Sequence, residues 1–312
     1  MRRVSAVVSA ICAFLLVVPG EAFATVTPKA VITGPEDQWQ GFANDTYLAW
    51  TTNSVAHPNH FDALIRPLAG GSTIRANARG TEGFPGNFDP GSNRLIYEQG
   101  NSKDVGIYFY DVDSGRRWKV PGVNSTATEW QPKVSSTFVL FQRNRWAHGR
   151  WYTDMLLYAR ASHRTRRIGT WPESRHTVVR TGNVGDRYAT FMVANKHGYF
   201  AYVYDAQTKT VSKIPTKNGK PQWGPVVDEA GGTVYVWRSG DACGANSTLL
   251  RMPISLEGSP TKIVALPQGI DTGWVTSLAP DPSGGVDAYF YRIRCGASQG
   301  DIYVAKQVDA VT

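Results

Sequence analysis

Three columns of residues recur six times in phase along this chain, and that repetition constrains the fold more than any other feature. "GIYFYDVDSG" (106–115) and "FAYVYDAQTK" (200–209) carry one pattern: apolar alternation with period two, then Tyr-Asp, two residues and Ser or Thr. Aligned outward, the strands around Tyr108 and Tyr202 have counterparts around Leu64, Leu156, Leu250 and Tyr303. In chain order the six anchors are separated by 44, 48, 46, 48 and 53 residues. A second strand precedes each anchor, near Trp50, Tyr97, Phe141, Phe191, Val236 and Phe290. Earlier still stands a bulky residue: Trp39, Phe84, Trp130, Val179, Trp223 and Trp274, the fourth unit matching least well. Each unit closes with a short strand such as "RRWKV" or "VSKIP".

A unit of about 46 residues with four strands has the size of a propeller blade. One such blade cannot hide both of its faces, whereas six packed radially cover one another and leave few exposed edges. The sequence therefore predicts an all-β, six-bladed β-propeller of four-stranded blades, with the aromatic anchors as packing between blades. After the Tyr303 strand only "QVDAVT" remains, while "PKAVITG" (28–34) precedes the first unit and alternates like a strand. Residues 29–34 are therefore expected to form the outermost strand of the last blade and close the ring.

The first 24 residues read as a signal peptide. Arg2 and Arg3 form a positive start, "VSAVVSAICAFLLVV" the apolar stretch, and "AFA" at 22–24 a cleavage site after Ala24. The expectation is a secreted, extracellular protein whose residues 25–312 form a single propeller domain. No later run approaches the roughly 18 apolar residues that span a bilayer. Removing the leader takes two Arg and one Glu from 33 basic and 25 acidic residues, leaving a net charge of +7. That excess is spread along the chain, reads as a solubility feature, and does not favour nucleic acid as partner. Cys243 and Cys295 survive cleavage. An even pair in an exported chain suggests a disulfide, here an inter-blade staple between corresponding loops of blades five and six. The pair lacks the further close ligands that zinc requires, so no metal and no cofactor are expected.

"GNFDPGSNRLIYEQGNSKDVGIYFYDVDSG" (86–115) and "LAPDPSGGVDAYFY" (278–291) resemble the TolB-type, WD40-like β-propeller repeat. That repeat has an apolar position, Ser-Pro-Asp-Gly, an inner strand and an acidic hairpin. The resemblance extends over all six units, is strong in three, and implies the propeller fold. In place of its Ser the chain has Asp89 and Ala279. TolB carries an additional amino-terminal α/β domain for which there is no room before residue 37, so its envelope role is not carried over.

Several motifs read as structure. "GASQG" (296–300) matches a nucleophile elbow, yet no His follows His197 and a strand rather than a helix comes next. "DVDSG" (111–115) lacks the rest of a calcium loop and is a turn. "HPNH", with His57 and His60, offers no third metal ligand nearby. Triplets at Asn44, Asn124 and Asn246 fit glycosylation acceptors. The stretch with a functional composition is "QRNRWAHGRWYT" (142–153), between the second and third strands of the third blade. Arg143, Arg145 and Arg150 alternate with Trp146, Trp151 and Tyr152, with His148 at the centre. Guanidinium groups bind carboxylate or phosphate, and indole faces stack on sugars, bases or cations. A second basic run, "RASHRTRR" (160–167), falls in a turn on the opposite face.

These residues define the expectation: a monomeric binding or scaffold protein taking a protein or anionic polysaccharide ligand on its loop-rich face. The alternative is a secreted carbohydrate-active enzyme, a lyase or hydrolase working at the channel mouth. It would need a convergent acid, base and charge stabiliser, for which Glu82, Glu129, His148, Arg180 and Asp271 are candidates.

Overall fold

The computed structural model describes residues 26–310 except 35, 55–56, 102–103, 175–176, 216–221, 239–246, 267–269, 282 and 295–299. The side chains of 54, 57–59, 104, 271–276 and 294 are also outside the description. The architecture is a six-bladed propeller of four-stranded antiparallel sheets. A first strand, β1 (Lys29–Ile32), precedes blade 1, which comprises β2 (Asp37–Ala43), β3 (Tyr47–Ser54), β4 (His57–Pro67) and β5 (Ile74–Arg75). Blade 2 holds β6 (Glu82–Phe88), β7 (Arg94–Asn101), β8 (Asp104–Asp111) and β9 (Arg117–Lys119). Blade 3 holds β10 (Thr128–Val134), β11 (Phe138–Ala147), β12 (Arg150–Ala159) and β13 (Arg164–Pro172). Blade 4 follows with β14 (Val178–Val184), β15 (Tyr188–Asn195), β16 (Gly198–Asp205) and β17 (Thr210–Lys213). Blade 5 contains β18 (Gln222–Asp228), β19 (Thr233–Arg238), β20 (Thr248–Pro253) and β21 (Thr261–Ala265). Blade 6 has β22 (Ile270–Pro280), β23 (Val286–Arg294) and β24 (Gly300–Ala305), and its fourth strand is β1.

Ring closure follows the sequence expectation. β1 pairs antiparallel with β24, Lys29 opposite Val304 and Ile32 opposite Ile302. Ile32 is buried in one cluster with Tyr289, Ile302 and Val304 of blade 6 and with Leu48 and Trp50 of blade 1. The same arrangement recurs around the ring. Six apolar clusters occupy the six seams, each drawing on two neighbouring blades. Phe141 with Ile96, and Trp237 with Phe290, are examples. Burying a side chain of this size contributes about 1.5–3 kcal/mol, so the seams supply the cohesion that no blade has alone.

The innermost strands share a feature that the apolar columns do not reveal. Each of the six has a register shift against its partner near mid-strand, as between Trp39 and Phe42, Trp130 and Lys133, and Thr181 and Val184. The remaining three lie at Pro85/Phe88, Trp223/Val226 and Thr272/Thr276. Such bulges bend a strand and sharpen its twist, which lets six strands converge on one axis. Two glycines mark the closest approaches. A Cβ on Gly86 would stand 2.1 Å from the Pro132 carbonyl oxygen, and one on Gly182 2.0 Å from that of Pro225.

Two expectations are corrected. The bulky residue of blade 4 is not Val179. Strand register sets Trp39, Phe84, Trp130 and Trp223 opposite Thr51, Glu98, Gln142 and Trp237, and the equivalent residue opposite Met192 is Arg180. The Cys243–Cys295 staple is withdrawn. No disulfide is present among the described residues, and both cysteines lie outside them. What joins blades 5 and 6 is apolar packing centred on Trp237 and Phe290, rings 4.9 Å apart.

Two substitutions test the packing between blades, one at the blade 2–blade 3 approach and one at the closing seam. Gly86→Ala should lower stability by about 1–3 kcal/mol, because backbone rather than a yielding side chain blocks the new methyl. Ile32→Asp should cost at least about 3 kcal/mol by burying an unpaired carboxylate in the closing seam. Chemical denaturation against the parent protein checks both, and a midpoint unchanged in either variant would contradict this account of the seam.

Candidate functional site

Antiparallel strands place successive turns on alternate faces of the ring. The β11–β12 turn therefore lies on the face opposite to the β2–β3, β6–β7 and β10–β11 turns. The two faces differ in what they offer a ligand.

On the first face the third blade projects. β11 and β12 are ten residues each and pair without interruption to Ala147 opposite Arg150. The two-residue turn between them is His148-Gly149, with φ of 49° and 74°, the left-handed pair that suits a tight hairpin. β13 runs alongside as far as Pro172 opposite Tyr152, bracing the projection. Near its tip Trp146 and Trp151 stand opposite each other, edge to face with centroids 5.5 Å apart. They are 60% and 49% exposed, the two most exposed large apolar side chains among the described residues. The arginines divide into two kinds. Arg143 turns inward, its Nε donating to the buried Glu129 at 2.8 Å and its Nη2 to the Val123 carbonyl at 2.8 Å. Arg145 donates to the buried Asp154 at 2.7 Å while its guanidinium lies over the Tyr152 ring. Arg150 is exposed, its Nε donating to the Tyr152 hydroxyl at 2.7 Å. Exposed indoles and Arg150 therefore form the accessible surface, and Arg143 and Arg145 stiffen the hairpin beneath it.

On the opposite face a cavity of about 980 Å³ opens on the axis, lined by the ends of all six innermost strands, including Asn87, Asn183 and Ser277. Its carboxylates are engaged internally. Asp89 accepts from Arg94 at 2.9 Å and Arg160 at 2.6 Å, which accounts for part of the basic run at 160–167. Glu229 accepts the backbone N–H groups of Asp186 and Arg187 at 2.9 and 2.8 Å. Asn87 and Asn183 bridge to the backbone of Val134 and Val227 in the next blade, each side chain both donating and accepting.

Between the two faces lies a charged group that the sequence reading passed over. Lys133 is buried; its Nζ donates to the Gly86 carbonyl at 3.1 Å and sits 3.6 Å above the Phe42 ring. Blade 3 thus touches both blade 2 and blade 1 through this one side chain. Burial holds the ammonium well below the ordinary lysine range, opposed by the negative charge of Glu98. Glu98 is itself buried and accepts the Gln131 N–H at 2.5 Å. Burial pushes its carboxyl up to about 7, against the Gln131 N–H, Arg180 and Lys133, while Glu82 adds to the rise. Arg180 is lowered by burial, with Glu98 and Tyr199 opposing. Of the enzyme candidates, Glu82 and Arg180 thus share the field of Glu98. Glu129 is engaged with Arg143, His148 sits in the hairpin turn, and the Asp271 side chain lies outside the described residues. The available signal was internal: Lys133 occupies a position that Phe42 and Val226 hold in other blades, and Glu98 one that Met192 and Trp237 hold. Among the described residues no group of three or more His, Cys, Asp or Glu could hold a metal ion, and no helix is long and apolar enough to cross a membrane.

No sequence family and no curated protein matches the chain. Solved structures do. A putative TolB from Agrobacterium tumefaciens is 13% identical with a TM-score of 0.57, over 89% of this chain and 92% of that one. TolB from Acinetobacter baumannii is 14% identical with a TM-score of 0.55, over 84% of this chain and 64% of that one. An oligogalacturonate lyase in complex with manganese is 11% identical with a TM-score of 0.54, over 93% and 85%. The chain therefore spans just under two thirds of the Acinetobacter TolB, and 42% of a prolyl endopeptidase that it also resembles. At these identities the likeness shows the six-bladed propeller fold shared with several propeller families, and not the TolB type in particular.

Glu98 generates a pH prediction. Its folded pKa lies above the ordinary 4.5, so the native state holds the proton more tightly than the unfolded chain, and this contribution to stability is lost as pH rises from 4.5 to 7. Glu98→Gln, which keeps an acceptor for the Gln131 N–H, should therefore gain stability relative to the parent across that window. Denaturation midpoints of the two proteins at pH 4.5 and 7.5 check it; a constant difference would show that Glu98 titrates normally.

Proposed function

We propose that this protein is an exported binding module that engages a protein or glycan ligand through the β11–β12 hairpin, with acidic character in the ligand. The observation that carries this reading is the pair Trp146 and Trp151, held in a fixed edge-to-face geometry and left to solvent beside Arg150. Exposed aromatic and arginine side chains on a rigid support are the composition of an interaction hot spot. Tyr152 and the Arg145–Asp154 bridge preorganise them, which lowers the entropy cost of binding. Export rests on the leader with its cleavage site after Ala24, and the propeller then acts outside the cytoplasm as a monomer. An enzyme working in the axial channel is the second reading, favoured by the burial of the Glu98 carboxyl on the Gln131 N–H, where burial pushes it up to about 7 against the opposing charges of Arg180 and Lys133.

The test is binding of the purified mature protein to immobilised acidic polysaccharides and to envelope protein extracts at low and high salt. The Trp146→Ala, Trp151→Ala double variant should bind at least about tenfold more weakly, in line with hot-spot truncation. Its folding stability should stay within about 0.5 kcal/mol of the parent, because both rings are exposed. Arg150→Ala should mainly reduce the salt sensitivity. Equal binding by the double variant would remove the hairpin from the interaction.

A further inference from the structure

Five of the six blades end in a short outer strand, and blade 3 does not. β5, β9, β17, β21 and β1 are two, three, four, five and four residues long, whereas β13 has nine. Short outer strands are one way in which sheet edges are kept from pairing with other chains. Part of β21 is covered as well, since the Val26 N–H donates to the Ile263 carbonyl at 3.0 Å. β13 is the last strand of its sheet and pairs with β12 along one side. In an antiparallel ladder every second residue of such a strand turns its N–H and C=O outward. Arg164, Thr165, Arg166 and Arg167 are all exposed, and a register shift at Ile168 follows them. A bulge of this kind interrupts regular pairing, so the open stretch is Arg164 to Arg167.

That stretch carries one sign of charge. Between Asp154 and Glu173 the chain has four arginines and no acid. Arg160 is engaged with Asp89 at 2.6 Å. Arg167 reaches Asp154 at 3.3 Å, a carboxylate that already accepts from Arg145 and Thr170, and its side chain remains 54% exposed. Arg166 donates to the Tyr204 hydroxyl at 3.4 Å, and neither it nor Arg164 has a carboxylate partner among the described residues. The two stand two positions apart, on the same side of the strand. Charges on an edge repel apolar strands, but they also favour a strand whose carboxylates fall opposite them.

We propose that the rim of blade 3 is a strand-addition site, separate from the hairpin, at which an acidic, extended segment of another protein pairs with Arg164 to Arg167. Main-chain hydrogen bonds to the outward groups of β13 supply the affinity. Arg164 and Arg166 supply the selectivity, each able to take a carboxylate as a fork. A second copy of this chain is a poor occupant, because pairing β13 with itself sets arginine against arginine.

The experiment is a titration of the full mature protein with a synthetic peptide of alternating glutamate and threonine, about six residues long, the ordinary length of a strand. Calorimetry and amide hydrogen exchange follow it. The peptide should bind, less tightly at high salt, and should slow amide exchange within residues 164–167. The same peptide with every backbone nitrogen methylated keeps its carboxylates but cannot donate to the ladder, and should bind at least about tenfold more weakly. The Arg164→Glu, Arg166→Glu variant should also lose about tenfold or more, by like-charge repulsion, with a denaturation midpoint close to the parent's because both side chains are exposed. The exchange and methylation arms use the parent protein, so the site stays testable if that variant does not fold. The Trp146→Ala, Trp151→Ala variant should bind the peptide unchanged, which separates a failure here from a failure of the hairpin reading. No binding, no protection of 164–167, or equal binding by the methylated peptide or the folded arginine variant would each overturn the proposal. Polygalacturonate binding as tightly as the peptide would assign the rim to acidic glycans, and protection that grows with the concentration of the parent alone would assign it to a second copy; either result overturns the proposal as well.

Discussion

Six strands must meet at the axis with no strand on their inner side to take up their backbone polar groups, and the rest of the ring depends on how those groups are satisfied. Buried N–H and C=O groups left unpaired are costly. Here side chains of neighbouring blades do the pairing. Asn87 and Asn183 imitate a peptide group toward Val134 and Val227, and Ser277 donates to the Gly41 carbonyl at 2.8 Å. Thr190 donates to the Pro225 carbonyl at 2.6 Å. The mid-strand bulges bring these partners within reach, and glycine at 86 and 182 lets the backbones approach. Apolar clusters then fill the wider parts of the seams. Lys133 belongs to this system: its bond to Gly86 serves the same purpose as those of the asparagines, at the expense of burying an ammonium.

How much of this was legible in the sequence follows from where each signal resides. Blade number, strand count and the closing role of β1 were readable, because each rests on apolar period-two patterning that burial between blades enforces. The register of blade 4 was not. Val179 is the apolar residue and looks like the column member, while the strand register that puts Arg180 at the position of Trp130 and Trp223 leaves no compositional trace. The division of labour among the hairpin arginines was hidden for a similar reason. Arg143 and Arg145 differ from Arg150 only in that Glu129 and Asp154, distant or on the partner strand, lie close enough to engage them. The disulfide expectation finds no support, since no disulfide is present among the described residues and both cysteines lie outside them; the seam between blades 5 and 6 is joined by Trp237 and Phe290.

The two faces of the ring use charge differently. On the cavity face, acids and bases are spent on each other and on turn backbones: Asp205 with Arg187, Asp281 and Asp287 with Lys306, Asp111 with Ser114. Such pairs fix loops and leave little net field for a partner. The hairpin side keeps the exposed Trp146 and Trp151 and the exposed Arg150. That contrast, more than the overall charge of the chain, is what supports the proposed binding role of the hairpin side.

The closing blade has a consequence for how the chain folds. Its fourth strand comes from the start of the sequence and its first three from the end, and the Gly300 N–H to Asp37 carboxylate bond that secures the join at 2.8 Å links residues 263 positions apart. Bringing such distant segments together carries the largest loop-closure entropy in the molecule, so the latch forms after the intermediate blades have shortened the distance between its halves. A chain interrupted before β24 keeps an unpaired β1 and an uncovered β2 seam, both templates for intermolecular strand pairing. Strand β24 therefore covers an edge and a seam that the start of the chain would otherwise leave exposed.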